Sequence, residues 1–117
     1  MDFGTWEGLT WPQIVALDPT LAERPANVPR YYAPAGGETF ERVCARVAAA
    51  LEDIGERMTA GGSALVVTHA GPLHALLRTL LGEAQAAALG VRFVPASITR
   101  IAIEPSGARI IELNRPV

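Results

Sequence analysis

His69 is the residue of this sequence best placed to do chemistry, within the stretch LVVTHAGPLHALL at 65–77. A continuous apolar run ends at this histidine, two small residues follow, and Pro72 opens a pattern with helical spacing. A turn from strand to helix offers free backbone N–H groups and the positive end of the helix dipole. A protonated imidazole at such a turn can hold a phosphoryl oxygen and stabilise transition-state charge. The spacing therefore predicts an anion site at His69, Ala70 and Gly71.

Other roles for His69 are open at this point. A histidine at the end of a buried strand often serves only as a hydrogen-bonded structural residue. Metal binding is less favoured, because His69 and His74 do not share a helix face and no cysteine or acidic cluster nearby supplies further ligands. A serine hydrolase is not indicated, because the chain has no G-x-S-x-G motif. The residues thus imply neither a metal nor a cofactor.

The elements that must position this turn are predicted in the order helix, helix, strand, helix, helix, strand, strand. SALVVTH predicts a strand that is apolar on both faces, as in the centre of an α/β sheet. Helical spacing and turn residues predict helices over LTWPQIVAL, ETFERVCARVAAALEDIGERMTAGG, GPLHALLRTLLG and EAQAAAL, and strands over ASITRIAIEP and ARIIELN. Pro105, Ser106 and Gly107 between the last two strands indicate a hairpin. The predicted class is α/β with an antiparallel element at its end.

Length and composition set the outer limits of function. The 117 residues, half of them hydrophobic, fit a single domain over 1–117 with no linker or repeat. A net charge of −2 gives no basic surface for nucleic acid, and no apolar run reaches the ~18–20 residues that span a membrane. No secretory signal peptide is visible, and the single Cys44, expected to be a small buried hydrophobe, favours a reducing cytoplasm.

Four segments, in this order, resemble the C-terminal part of the histidine phosphatase superfamily. DFGTWEGLT resembles its acidic-segment motif, and PAGGETFERV resembles its proline–glycine–glutamate–serine helix start, with Thr39 in the serine position. LVVTHAGPLHALL resembles the strand that carries its second active-site histidine, and VPASITRI resembles the strand that follows. The resemblance favours the alpha-ribazole phosphatase or broad phosphatase branch. It implies a three-layer α/β/α phosphoglycerate mutase-like fold.

The resemblance also implies an activity and a set of site residues. The activity is phosphomonoester hydrolysis through a phosphohistidine, with a small phosphorylated substrate, no cofactor, and no nucleic-acid or membrane partner. His69 would be the catalytic residue that contacts the phosphoryl group, and the backbone at Ala70 and Gly71 would bind phosphate oxygens. Candidates for further substrate contact are Glu7, Arg30, Tyr31 and Glu38. A loop or cap role is favoured for Glu7, a helix-capping role for Glu38, and a plain surface position for Arg30 and Tyr31.

One departure from the family pattern limits what this chain can do. It contains no Arg-His-Gly motif, and its only histidines are His69 and His74. The nucleophile, its arginines and the general acid would all precede Met1, so we expect a truncated fold that lacks the N-terminal strand and is inactive alone. Strand 64–68 would then need cover from a second copy or from the missing segment. The alternatives are mutase-type phosphoryl transfer and a non-catalytic anion-binding or assembly module.

Overall fold

The computed structural model describes residues 1–23 and 33–117, which fall into two compact units, Met1–Val43 and Cys44–Val117. We call these the N-terminal and the C-terminal unit. The described helices are α1 Trp11–Leu17, α2 Phe40–Arg57, α3 Ala70–Leu81 and α4 Glu83–Ala88, and the strands are β1 Ser97–Glu104 and β2 Gly107–Pro116. Helices mixed with a small two-stranded antiparallel sheet are consistent with the predicted α/β class.

The N-terminal unit is built from short turns around one apolar cluster. Gly4–Trp6 and Pro19–Glu23 form 3-10 turns on either side of α1. Trp6, Ile14 and Leu21 pack together as the buried cluster. The sequence predicts both tryptophans to be packing anchors, which is confirmed for Trp6, whereas Trp11 is 50% exposed and lies at the surface.

Helix α1 begins where its capping residues predict. Thr10 is the N-cap, and the side-chain oxygen of Gln13 accepts its backbone N–H at 2.8 Å. The Thr10 N–H lies outside the helix and has no partner in its backbone hydrogen bonds. Gln13 supplies that partner, as the third helical residue does in a capping box. Pro12 is tolerated in the first turn because its missing N–H has no intrahelical partner there.

Helix α2 is shorter than the predicted span of 38–62. It begins at Phe40 because the Thr39 hydroxyl accepts the Arg42 N–H at 3.2 Å, which makes Thr39 the cap in place of Glu38. It ends four residues before Gly61. The Met58 N–H bonds to the carbonyl of Gly55, three residues back, at 3.2 Å, and this tighter turn closes the helix.

The C-terminal unit packs α3 against α4 and β2. Ala75 and Leu77 face inward and are 0% and 2% exposed. Phe93, which precedes β1, is also buried, and its ring meets the His74 ring edge-to-face at 4.9 Å. His74 therefore has a packing role.

The predicted hairpin is present. Strand β1 pairs antiparallel with β2, with Ile101 opposite Ile110 and Glu104 opposite Gly107. The register shifts on both sides of Arg100, which marks a bulge in the ladder. Asn114 adopts a positive φ of 53° near the end of β2, a conformation that asparagine tolerates better than most residues.

The strand predicted over SALVVTH does not form part of a sheet within residues 1–23 and 33–117, and the expectation of burial on both faces is wrong for this structure. Leu65, Val66 and Val67 are 86%, 57% and 91% exposed. A central strand is defined by its neighbours, because both its hydrogen bonds and its buried faces come from other elements. No described strand supplies them here.

Candidate phosphate-binding site

His69 stands at the junction that the sequence predicts, immediately before α3. It is the N-cap residue, with extended backbone angles of φ −127° and ψ 169°, and its carbonyl accepts the Leu73 N–H at 3.1 Å. Its side chain makes no capping hydrogen bond, and the residue is exposed. The backbone thus starts the helix while the imidazole is left available to solvent and to a ligand.

The first helical residues leave space for an oxyanion. Ala70 is exposed, and a Cβ placed on Gly71 would meet no atom within 4 Å. The first N–H groups of a helix have no intrahelical acceptor, and in α3 those of Ala70 and Gly71 have none among the described residues. Two open N–H groups beside an exposed imidazole, at the positive end of a twelve-residue helix, suit a phosphate or sulfate group.

Buried contacts farther along α3 hold this turn in place. Leu77 is 2% exposed, and the ring of His74 rests on Phe93. At the far end the Gly82 N–H bonds to the Arg78 carbonyl at 3.0 Å, with Gly82 at φ 81°, which ends the helix as predicted. The anion-binding end is therefore exposed while the body of the helix is packed.

Glu7 lies in the N-terminal unit and binds its own backbone. Its Oε1 accepts the Phe3 N–H at 2.9 Å, across the 3-10 turn. Asp2 acts in the same way, because its Oδ1 accepts the Gly4 N–H at 2.8 Å. Both carboxylates stabilise the turn by taking up N–H groups without helical partners, which is the loop role that the sequence left open for Glu7.

Glu38 also belongs to the N-terminal unit and faces Asp2. Its Oε2 accepts the Asp2 N–H at 3.4 Å, and its own N–H donates to the Asp2 carbonyl at 2.9 Å. Glu38 is half-buried and makes contacts in this position, while Thr39 caps the helix in its place. A substrate contact at Glu38 stays a prediction. Asp2 is the residue that sequence reasoning missed, since its partner is 36 positions away.

A close backbone approach joins the segments around Asp2 and Glu38. The Thr5 N–H bonds to the Ala35 carbonyl at 3.0 Å. A Cβ on Gly4, which has φ 50°, would collide with the Ala35 carbonyl and the Gly37 nitrogen, so only glycine fits. The glycines of DFGTWEGLT and PAGGETFERV therefore let the two motifs lie side by side.

The predicted site residues fall into three groups. His69, Ala70 and Gly71 are together at the start of α3 in the C-terminal unit. Glu7 and Glu38 both bind backbone in the N-terminal unit. The substrate contacts predicted at Arg30 and Tyr31 lie outside the described residues.

Three further observations on the described residues concern metal ligation, the cysteine and membrane insertion. No group of three or more His, Cys, Asp or Glu side chains that could hold a metal occurs in residues 1–23 and 33–117. Cys44, expected to be buried, is half-buried in α2. Among the described helices, none has both the length and the apolar character to cross a bilayer.

Comparison with known families finds one matching family model over nearly the whole chain. Residues 1–116 match the model of the histidine phosphatase superfamily, branch 1. The chain belongs to this superfamily.

Curated relatives occur in mycobacteria. The bifunctional protein Rv2228c of Mycobacterium tuberculosis and the uncharacterized protein Mb2253c of Mycobacterium bovis are each 32% identical to this chain over 112 residues. The match covers 96% of this chain and 30% of each relative. The chain thus spans under a third of the length of these proteins.

Proposed function

We propose that this chain is part of a phosphomonoester hydrolase that acts through a phosphohistidine, with a small phosphorylated molecule as substrate. The observation that carries the proposal is the exposed His69 beside the open N–H groups of Ala70 and Gly71, in a chain of the histidine phosphatase superfamily. Phosphatase or phosphomutase chemistry is the general expectation for the superfamily. Hydrolysis is favoured over mutase-type transfer by the resemblance of DFGTWEGLT and GGET to the broad phosphatase branch.

In this proposal His69 stabilises charge and does not form the covalent bond. Catalysis of phosphoryl transfer depends mainly on positioning the phosphoryl group and on neutralising the charge of its equatorial oxygens. Residues around the group can therefore contribute without forming a covalent bond to it. A protonated His69 holds one oxygen, while Ala70 and Gly71 donate backbone N–H groups to another. The phosphorylated histidine, the general acid and the accompanying arginines come from a segment outside residues 1–117, because the chain has no Arg-His-Gly motif.

The chain by itself is accordingly expected to be inactive. Purified protein is incubated with p-nitrophenyl phosphate between pH 5 and pH 8, beside a His69→Ala variant and a His74→Gln control that removes the other histidine. We expect no turnover above background in any of the three. Turnover near ordinary enzyme rates of about 1 per second, lost in His69→Ala and kept in His74→Gln, would contradict the need for an outside segment.

A second candidate function is assembly, and the exposure of Leu65, Val66 and Val67 favours it. An exposed apolar segment that lies outside the sheet of the described residues invites pairing with a strand of another chain. The proposed partner is a second copy of the chain, most simply in a two-fold dimer, or a missing N-terminal segment of the same domain. The net charge of −2 does not favour nucleic acid as a partner.

The single Cys44 supports the proposal of a cytoplasmic location.

Light scattering on a dilute, pure sample tests the assembly proposal. We expect a dimer or larger oligomer at micromolar concentration. A monomer with slow amide exchange at Val66 and Val67 would contradict it, because those amides would then be satisfied within one chain.

A further inference from the structure

A hollow of about 370 Å³ lies within the N-terminal unit, and its lining contains none of His69, Ala70 and Gly71. The aromatic residues Phe3, Trp6 and Trp11 contribute to its lining, together with Glu7. Its volume is within the range of small-molecule sites. The remaining lining residues are small or aliphatic: Gly8, Leu9 and Ile14.

The chemistry of this lining favours a cation. The faces of aromatic rings carry negative electrostatic potential, and tryptophan attracts cations most strongly. Glu7 is the one charged residue among the described residues of the lining, and none of these is a lysine or arginine that would compete for the carboxylate. An anion would meet no positively charged side chain among the described lining residues, and a neutral group would gain no attraction from the Glu7 carboxylate.

The hollow is organised before any ligand arrives. Glu7 Oε1 is held by the Phe3 N–H at 2.9 Å, and the Glu7 N–H is held by the Gly4 carbonyl at 3.0 Å. The backbone of Trp11 is held by its place as the first residue of α1. A Cβ on Gly8 would meet nothing within 4 Å, so this side of the hollow is open.

The rim of the hollow is accessible to a solute. Phe3 and Trp11 are 42% and 50% exposed, while Trp6 is 9% exposed and forms part of the buried cluster below. Large aromatic side chains with this much exposure leave ring surface available for contact with a ligand.

We propose that this hollow binds a compact alkylammonium group, with the aromatic rings against its methyl groups and the Glu7 carboxylate as its counter-ion. Quaternary ammonium groups are recognised by aromatic cages in this way. The proposal is independent of phosphatase activity, because it uses no residue of the phosphate-binding turn.

The fluorescence of Trp6 and Trp11 can be used to detect binding in the hollow. Trp6 and Trp11 are the only tryptophans in the chain, so intrinsic tryptophan fluorescence reports on this hollow alone. The probe is choline chloride at constant ionic strength, and its matched control is 3,3-dimethyl-1-butanol, which has the same shape without the charge. We expect saturable binding on the order of millimolar for choline. The neutral isostere should bind about 2- to 30-fold more weakly, which is the cation–π attraction expressed as a ratio of affinities.

Two variants separate charge from packing. Glu7→Gln keeps an acceptor for the Phe3 N–H and removes the counter-charge, so choline affinity should fall about 2- to 5-fold, as for an exposed ion pair. Glu52→Gln, which removes an exposed carboxylate of α2 outside the hollow, should leave choline binding unchanged. Far-ultraviolet circular dichroism of each variant checks that the helices are retained.

Several outcomes would overturn the proposal. A fluorescence change that is linear in choline concentration would mean that there is no site. An equal response to the neutral isostere would mean an apolar hollow without selectivity for cations. Equal choline affinity in Glu7→Gln and in the unaltered chain would remove Glu7 from the site. None of these outcomes bears on p-nitrophenyl phosphate turnover, so failure here is distinguishable from failure of the proposed function.

Discussion

The side-chain oxygen of Asn114 accepts the backbone N–H of Val94 at 3.1 Å, which joins positions twenty residues apart. The side-chain nitrogen of Asn114 donates to the Arg92 carbonyl at 2.8 Å. The Ser97 hydroxyl donates to the Val94 carbonyl at 2.6 Å. The segment before β1 is therefore held by side chains of both β1 and β2. A single amide side chain near the end of β2 therefore fixes where β1 begins.

Replacement of Asn114 should destabilise the C-terminal unit. Asn114→Ala loses both hydrogen bonds and places alanine at φ 53°, so we expect the free energy of unfolding to fall by about 1–3 kcal/mol. Urea titration followed by circular dichroism measures the change. Asn114→Gly loses the same bonds without the backbone strain and should cost less than alanine. A glycine variant less stable than the alanine variant would contradict the strain argument.

Replacement of Ala96 by glycine should stabilise the protein. It has φ 52°, where an L-residue places Cβ close to the following carbonyl oxygen. Ala96→Gly relieves this contact and gives up some chain entropy in the unfolded state, so we expect a net gain of about 0.5–1 kcal/mol. Thermal unfolding should show a higher Tm. Ala108→Gly, in the regular part of β2, is the control and should lower the Tm. A fall in both variants would show that position 96 is unstrained.

Leu77 should dominate the packing of α3. It is 2% exposed, so Leu77→Ala leaves a cavity and should lower the free energy of unfolding by about 2–5 kcal/mol. Leu89, which follows α4 and is 45% exposed, makes a matched control, and Leu89→Ala should cost under about 1 kcal/mol. Both values come from urea unfolding curves. If both variants lost the same free energy of unfolding, the buried Leu77 side chain would contribute no more to stability than the exposed Leu89 side chain.

Phosphate should bind weakly at the start of α3. The N–H groups of Ala70 and Gly71 and the helix dipole supply attraction, but no arginine fork is predicted beside them, so we expect a Kd on the order of millimolar. Phosphate titration followed by NMR should shift these two amides and the His69 ring. The His74 ring, which rests on Phe93, should not respond. Shifts confined to other residues would place the anion elsewhere.

Local features of this protein were predictable because their causes lie within a few residues. Thr10 and Gln13 set the start of α1, Gly82 ends α3, and the turn after Glu104 forms the hairpin. The location of His69 directly before a helix was equally visible, since the small residues and proline after it define that junction. The candidate phosphate site is therefore mostly local in origin, apart from the predictions at Arg30 and Tyr31, which lie outside the described residues.

Longer-range features depended on tertiary structure. The sequence predicts Glu38 as a helix cap, yet its carboxylate accepts an N–H from Asp2, 36 positions away. Leu65–Val67 reads as a buried strand, but its burial depends on neighbouring strands that no local pattern can supply. Caps and turns are satisfied by atoms close along the chain, whereas a strand gains its hydrogen bonds and its buried faces from segments whose distance is set by the fold. For that reason the sequence determined the identity of the His69 turn and the order of the motifs, and only the tertiary structure decided which apolar residues were covered.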